Sequence, residues 1–362
     1  LRAAVVNTPT LAYLAILNKD QSPGVYNKIL GTIAGAQKNG FSGRIWCDTF
    51  SPGFLRRMSE MIINSKEKNL IIRSLCQYNF YLIYAFILAR IQGKRIIIDV
   101  PTPNRVAIHE IANGNQGVLG KLKSLFYLTV FGPIPYWFTS GVLQYSNESA
   151  WFLLGNRSKT KLIGNGIEVS ALPVRPKVPK WTGDRLDLIC VASLNYWHGL
   201  DRLISAISIV NSCDQQLKIY LKIVGKGAVF DQLKSQVEEL NLIKYVQFLG
   251  FLKGESLYSQ YSTAHLGVGS LGLFRKKLNT ASELKSREYC AVGIPFITVG
   301  EDPDFGKDAK FRIQLSNEES IMDLIQFFKN FKPEQINFSP SEIRAYAVQH
   351  LDFSVKIAQI LK

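Results

Sequence analysis

The sequence predicts two parallel, doubly wound α/β domains, and three observations carry the prediction. The chain has 362 residues, more than one hydrophobic core usually serves. Short apolar runs alternate with Gly/Pro/Asn breaks and helix-period segments, the rhythm of strands joined by helical crossovers. A stretch with prolines at its middle, "EVSALPVRPKVPKWTGD" (168–184), splits the runs into two sets of about five and reads as an interdomain connection.

In the first set the apolar runs are "LAYLAIL" (11–17), "GRIWCD" (43–48), "KNLIIRS" (68–74), "KRIIIDV" (94–100) and "GVLQYS" (141–146). In the second they are "RLDLICVAS" (185–193), "LKIYLKIVG" (217–225), "YVQFLG" (245–250), "AHLGVGS" (264–270) and "IPFITVG" (294–300). Continuous rather than alternating hydrophobicity marks strands covered on both faces. The last 24 residues, "SPSEIRAYAVQHLDFSVKIAQILK", keep a helical period, and the residues alone leave open which domain they pack on. The expected division is 1–170, 171–340 and a terminal helical segment 341–362.

Charge and cysteine usage narrow the function classes. Lys and Arg number 43 against 28 Asp and Glu, a formal net charge of +15 that predicts polyanionic company: nucleic acid, nucleotide phosphates or an anionic membrane face. Aromatics interleaved with Lys/Arg on a sheet, or a helix shaped for the major groove, are not evident, so nucleic acid is not an expected partner. Cys47, Cys76, Cys190, Cys213 and Cys290 are scattered and odd in number, without CxxC spacing. They predict a reducing, cytoplasmic compartment and neither a disulfide framework nor a zinc site. The longest apolar run, "FYLIYAFILARI" (80–91), is too short to span a bilayer.

Ligands of doubly wound sheets bind beyond the carboxyl ends of strands, so the loops there are the candidates. In "IVGKGAVFDQLKSQV", Gly225 and Gly227 flank Lys226 between a buried strand and a helix, a turn that lets backbone approach a phosphate. In "ASLNYWHGLDRLI", His198 stands where an imidazole N–H could donate to a phosphate, or where it simply belongs to a polar loop. In "GSLGLFRKKLNTASELK", Arg275, Lys276 and Lys277 lie between a strand end and the next helix, so their charges are expected to converge on that helix N-terminus, a geometry suited to a diphosphate. The helix itself is "TASELKSREYCAVGIPF" (280–296), with Ser282 as its expected N-cap and Gly293 as its stop. Leu284, Glu288 and Ala291 share one face of it, so Glu288 lies on the stripe that should pack on the sheet.

At these residues the sequence resembles the retaining glycosyltransferases of family 4, which build bacterial capsular, exopolysaccharide and lipopolysaccharide chains. The resemblance runs in order through "NGI" (165–167), "WHGLDRLI", "IVGKG", "VQFLGFLKGESLYSQYSTAHLGVGSLG" and "LKSREYCAVGIPF", with weaker echoes in "SPGVYNKI" (22–29) and "DVPTPNRVAIHE" (99–110). It implies the GT-B fold: two Rossmann-like domains facing across a cleft, with the C-terminal helix crossing back to the first. It implies a UDP- or GDP-sugar donor, with Glu288 matching the second acid of a two-glutamate motif and hydrogen-bonding the ribose hydroxyls. Thr280 stands where the first acid would be. Backbone of Gly250, Phe251 and Leu252 would read the base, and Ser282, Glu283, Leu284 and Lys285 would receive the diphosphate. Ser193 and His198 replace the Arg and Lys of many relatives, so Arg275, Lys276 and Lys285 are the expected sources of charge.

On that resemblance the expected reaction is sugar transfer, with retention, to a hydroxyl of a saccharide or lipid-linked saccharide acceptor. Arg275, Lys276, His198 and the helix N-terminus would stabilise the leaving diphosphate, so neither a metal nor another cofactor is required. Gly24, Val25, Asp99 and Glu110 would meet the acceptor, and His109 beside them is either a further catalytic residue or structural. A sugar-nucleotide epimerase or a phosphorylase on the same fold is the alternative. Finally, "GKLKSLFYLTVFGPIPYWF" (120–138) reads either as a core-packed helix or as a segment resting on the inner face of the plasma membrane, with Lys121 and Lys123 at the headgroups and Phe126, Tyr127 and Phe131 below.

Overall fold

The computed structural model describes residues 8–20, 22–113, 117–214 and 216–362. The chain forms two compact units, Leu1–Gly166 with Phe353–Lys362, and Ile167–Asp352. Each is built on a six-stranded sheet in which every pairing among the described residues is parallel.

The first unit carries β1 (Thr10–Ile16), β2 (Ser42–Asp48), β3 (Asn69–Arg73), β4 (Arg95–Val100), β5 (Gly141–Gln144) and β6 (Thr160–Leu162), in the order β2-β1-β3-β4-β5-β6. Its helices are α1 (Pro23–Lys38), α2 (Phe54–Asn64), α3 (Ile83–Ile91), α4 (Asn104–Asn113), α5 (Val118–Phe131) and α6 (Ile134–Trp137). Successive strand residues enter opposite cores, as a two-residue side-chain period requires. Leu14, Ile72 and Ile98 face one, while Tyr13, Ile71 and Ile97 face the other.

The second unit carries β7 (Arg185–Val191), β8 (Lys218–Val224), β9 (Val246–Gly250), β10 (Leu266–Val268), β11 (Phe296–Val299) and β12 (Arg312–Leu315), in the order β12-β11-β10-β7-β8-β9. Helices α7 (Leu200–Ser212), α8 (Phe230–Glu239), α9 (Glu255–Tyr261), α10 (Leu284–Val292), α11 (Met322–Lys329) and α12 (Pro340–His350) complete it. This is the 3-2-1-4-5-6 strand order of the dinucleotide-binding Rossmann fold, while the first sheet has the related flavodoxin-like order 2-1-3-4-5 with a sixth strand added, so both units are Rossmann-like and doubly wound as the sequence predicts. The extra strand in each sheet, β6 and β12, lies at the edge, where polar residues replace the apolar run that announces a buried strand.

Two boundaries differ from the sequence reading. Glu283 rather than Ser282 takes the N-cap position of α10, while Gly293 ends it in the left-handed region at φ 86°. A Cβ at Gly293 would stand 2.6 Å from the Pro340 backbone, so the residue serves both the turn and the packing of α12. The last helical segment is two helices, divided between the units. The first, α12, lies on α10, whereas α13 (Phe353–Leu361) belongs to the first unit and packs on α1. Glycines admit it there: a Cβ on Gly35 would fall 2.6 Å from the Phe353 carbonyl. Among the described residues no helix is long and apolar enough to cross a membrane.

Candidate functional site

In the second sheet the chain leaves β7 and β10 toward opposite edges, which makes their carboxyl ends the topological switch point. His198, in the 3-10 turn after β7, bridges that point. Its Nδ1 lies 3.1 Å from the Ser270 hydroxyl beyond β10, and its Nε2 lies 3.0 Å from the Ser193 carbonyl. A carbonyl only accepts, so the network assigns the proton to Nε2 and leaves a lone pair on Nδ1. That lone pair faces the Lys285 ammonium from the first turn of α10 at 3.0 Å. Burial, reinforced by the Lys285 charge, pushes His198 down to about 2.

These contacts correct the role expected of His198. A neutral imidazole whose one N–H is held by Ser193 does not donate to a phosphate; it accepts from Lys285 and orients it. Lys285 is itself buried, and no carboxylate lies within ion-pair distance of it among the described residues. A buried cation whose partner is a neutral ring retains most of its field for a further anion.

Two carboxylates flank Lys285 on the same helix. Glu283 turns back to β10: its Oε2 accepts from the Ser270 N–H at 2.8 Å and from the Ser286 hydroxyl at 3.3 Å. Its buried Oε1 has no hydrogen-bond partner among the described residues. Glu288, one turn further on, is half-buried on the face that runs from exposed Leu284 to fully buried Ala291. Its Oε1 accepts from the Tyr261 hydroxyl at 2.9 Å, not from Lys285. Burial raises the Glu288 carboxyl above its ordinary range, and the Tyr261 bond offsets part of that rise. Thr280 is buried and bridges to Glu301 beside β11.

The glycine loop has a different first cause from the one its pattern suggests. Gly225 adopts φ 125° and a Cβ there would sit 1.9 Å from the Ala192 carbonyl oxygen; one on Gly227 would sit 2.2 Å from that of Leu194. The loops after β7 and β8 are zipped by Ala192 N–H to Val224 O and Leu194 N–H to Lys226 O, both 3.0 Å. The glycines permit that approach, while Lys226 stays exposed at the tip. Gly225 N–H also donates to Gly250 O at 2.7 Å, which fixes the next loop: Phe251 is exposed and Leu252 packs on the core.

The basic cluster after β10 divides. Arg275 makes a bidentate pair with Asp201 in the first turn of α7, at 2.8 and 2.6 Å, and donates to the Tyr196 carbonyl at 2.6 Å. Lys276 lies over the Trp197 ring, 4.4 Å from its centroid. Arg275 is thereby tied to α7, whereas Lys276, over the ring next to His198, joins Lys285 in acting on His198. The sequence reading also missed Arg287. Fully buried on α10, it is locked between Asp302 and Asp304 and lies over Phe305.

In the first unit the strand order places the switch point between β1 and β3. A concavity of about 430 Å³ opens there, lined among others by Leu17, Asn18, Ser22, Val25 and Arg73. Val25 thus faces the open edge, and Gly24 lies exposed beside it in the first turn of α1. Asp99 does not reach it. Its fully buried carboxylate accepts from Tyr13 and from Lys28 at 3.2 Å, with Arg73 at 3.9 Å. Burial would raise Asp99, but the Lys28 and Arg73 charges hold it below its ordinary range. Burial lowers Lys28 to about 8 against the pull of Asp99. Asp99 is therefore the fully buried anion that pairs two partly buried cations, one of which, Arg73, lines the concavity. His109 and Glu110 are exposed in the second half of α4, whose first turn is capped by Glu148 through the Asn104 and Arg105 N–H groups.

Residues 175–270, which hold β7 to β10, match the family model described as glycosyl transferases group 1. No curated protein matches the sequence as a whole. Among solved structures, HepE of Anabaena in complex with UDP and glucose is similar at a TM-score of 0.66 and 16% identity, covering 98% of this chain and 99% of that one. A glycosyltransferase of Rickettsia africae is similar at 0.65 and 12% identity over 98% and 97% of the two chains. Sucrose-phosphate synthase of Thermosynechococcus elongatus is similar at 0.64 and 13% identity over 98% of each. The chain has the two-domain fold of the GT-B glycosyltransferases and carries a group 1 glycosyltransferase match across the second unit's switch point.

Proposed function

We propose that this chain transfers a sugar from a nucleoside-diphosphate sugar to a hydroxyl of a saccharide acceptor, with retention of anomeric configuration and without a metal. The observation that carries the reading is the buried Lys285 ammonium, held by the neutral His198 ring at the switch point and within ion-pair distance of no carboxylate among the described residues. A site of that kind is prepared for an anion, and the start of α10 adds the unpaired N–H groups of a helix N-terminus. Glu288, one turn along, accepts the two ribose hydroxyls in place of the single bond from Tyr261.

In the reaction the bond from the anomeric carbon to the diphosphate oxygen breaks as the bond to the acceptor oxygen forms on the same face. The acceptor proton passes to a leaving-group phosphate oxygen. Negative charge grows on the diphosphate through this step, and Lys285 with the α10 N-terminus is preorganised to meet it. UDP or GDP is the nucleotide, and the complexes of HepE with UDP and with UDP-glucose support the uridine form. The acceptor is lipid-linked, in the synthesis of a bacterial surface polysaccharide at the inner face of the plasma membrane, a place that suits the net charge of +15.

A thermal-shift panel of nucleoside diphosphates tests the donor half. UDP or GDP raises the melting temperature on this account, and no shift with any of them overturns it. With an active donor–acceptor pair, the anomeric coupling constant of the product reads retention or inversion.

A further inference from the structure

The first unit displays an apolar face that its own core does not use. The 3-10 turn Cys76–Leu82 runs directly into α3, and Tyr81, Tyr84, Leu88 and Ile91 fall on one side of that continuous segment, all exposed, Ile91 at 77%. On α5 a second stripe, Leu119, Leu122, Phe126 and Val130, follows helical spacing and is also exposed, Leu119 at 81%. Aromatic contacts join the stripes. The Tyr81 ring lies 5.6 Å from Tyr127, the neighbour of Phe126, and Phe80 packs beneath on Tyr127 and Phe131. Tyr127 and Phe131 are thus spent on holding α5 to the 3-10 turn, and the outward side chains are the two stripes.

We propose that this joined α3–α5 face rests on an anionic lipid bilayer. Charge selects that occupant. No Asp or Glu occurs between Glu67 and Asp99 or between Glu110 and Glu148, so both elements carry basic residues only: Arg90 beside Ile91, and Lys121 and Lys123 around Leu122. Glu60 of α2, which acts on the same Arg56 as Tyr84 does, is neutralised by that Arg56 at 2.8 Å. The other neighbouring acid that acts on the 3-10 turn is Glu110 of α4, at Cys76. Apolar side chains with cations at their rim and no carboxylate on either element match acyl chains beneath anionic headgroups. A contact between two copies would set these cations against one another. The inference deepens the lipid-linked acceptor reading and rests on it for its purpose, since a bilayer-seated first unit meets its acceptor at the surface.

Co-sedimentation of the whole chain with phosphatidylglycerol-containing vesicles, against pure phosphatidylcholine, tests it. Binding to the anionic vesicles alone, weakened by salt, is expected. The pair Leu122→Ser with Phe126→Ser should reduce it about tenfold or more, and so should Leu88→Ser with Ile91→Ser on the other stripe. All four positions are exposed, so the melting temperature and the UDP response should not move, which separates this proposal from the donor reading. Vesicle binding that is absent, or unchanged in both pairs, overturns it. A concentration-dependent dimer that the same pairs dissolve overturns it in favour of a self-interface.

Discussion

The Lys285 Nζ lies 3.0 Å from the His198 Nδ1, and the imidazole turns its only N–H away, toward the Ser193 carbonyl. The donor site is therefore organised by a lone pair: His198 aims a cation without neutralising it. The terminal phosphate of the nucleotide itself titrates at about pH 6, so the test is a ratio: parent affinity divided by His198→Asn affinity should stay level from about pH 8 to about pH 5.5, because His198 does not titrate in that interval. Lys285→Met should lose roughly ten- to hundredfold in nucleoside diphosphate affinity by calorimetry. A change in that ratio at about pH 6.5 would show a protonating His198 and contradict the arrangement.

Stability should carry the mark of the same residue. Folded His198 is depressed to about 2, whereas in the unfolded chain it titrates at its ordinary value near 6.5. The unfolded state then binds the extra proton, so this contribution is complete above about pH 6.5 and is lost as pH falls below it. Urea midpoints of the parent should decline across that range more steeply than those of His198→Asn. Parallel slopes would deny the depressed value.

Arg287→Met should unfold the second unit at a lower denaturant concentration, by about 3–5 kcal/mol, because it strands Asp302 and Asp304 side by side without their cation. Denaturant titration monitored by circular dichroism measures this. A loss within about 0.5 kcal/mol would mean that the buried pair contributes nothing there.

Asp99→Asn should cost more than Lys28→Met. The first leaves Lys28 and Arg73 without their buried anion, while the second leaves one cation facing one anion. The order of the two denaturation midpoints at neutral pH decides it, and the reverse order would make Asp99 an acceptor ligand rather than the counter-ion of the cluster.

The fold was legible where strands are buried on both faces, because continuous apolar runs such as "RIIIDV" and "DLICV" have no other economical reading. β6 and β12 escaped it, being short edge strands whose exposed residues carry no such signal. Glu288 was legible as an acid on the packing face of its helix, and Lys285 only through the family resemblance, as a source of the charge that Ser193 and His198 do not supply. Arg275 and His198 were misread for a common reason: sequence shows which charges are near in the chain, but not that Asp201 and Lys285, 74 and 87 residues away, take up their hydrogen bonds. Asp99 likewise marked a strand end, and the partners that bury it, Tyr13 and Lys28, are 86 and 71 residues distant.

In the proposed reaction Lys285 and Glu288 of the second unit receive a nucleoside diphosphate. Calorimetric titration of UDP and GDP into the parent chain and Glu288→Gln tests it most directly. One of the two nucleotides should bind saturably to the parent and at least about tenfold more weakly to Glu288→Gln, which keeps the Tyr261 bond and an unchanged melting temperature. Binding of neither nucleotide to the parent, or equal affinity in the two proteins, would contradict the account.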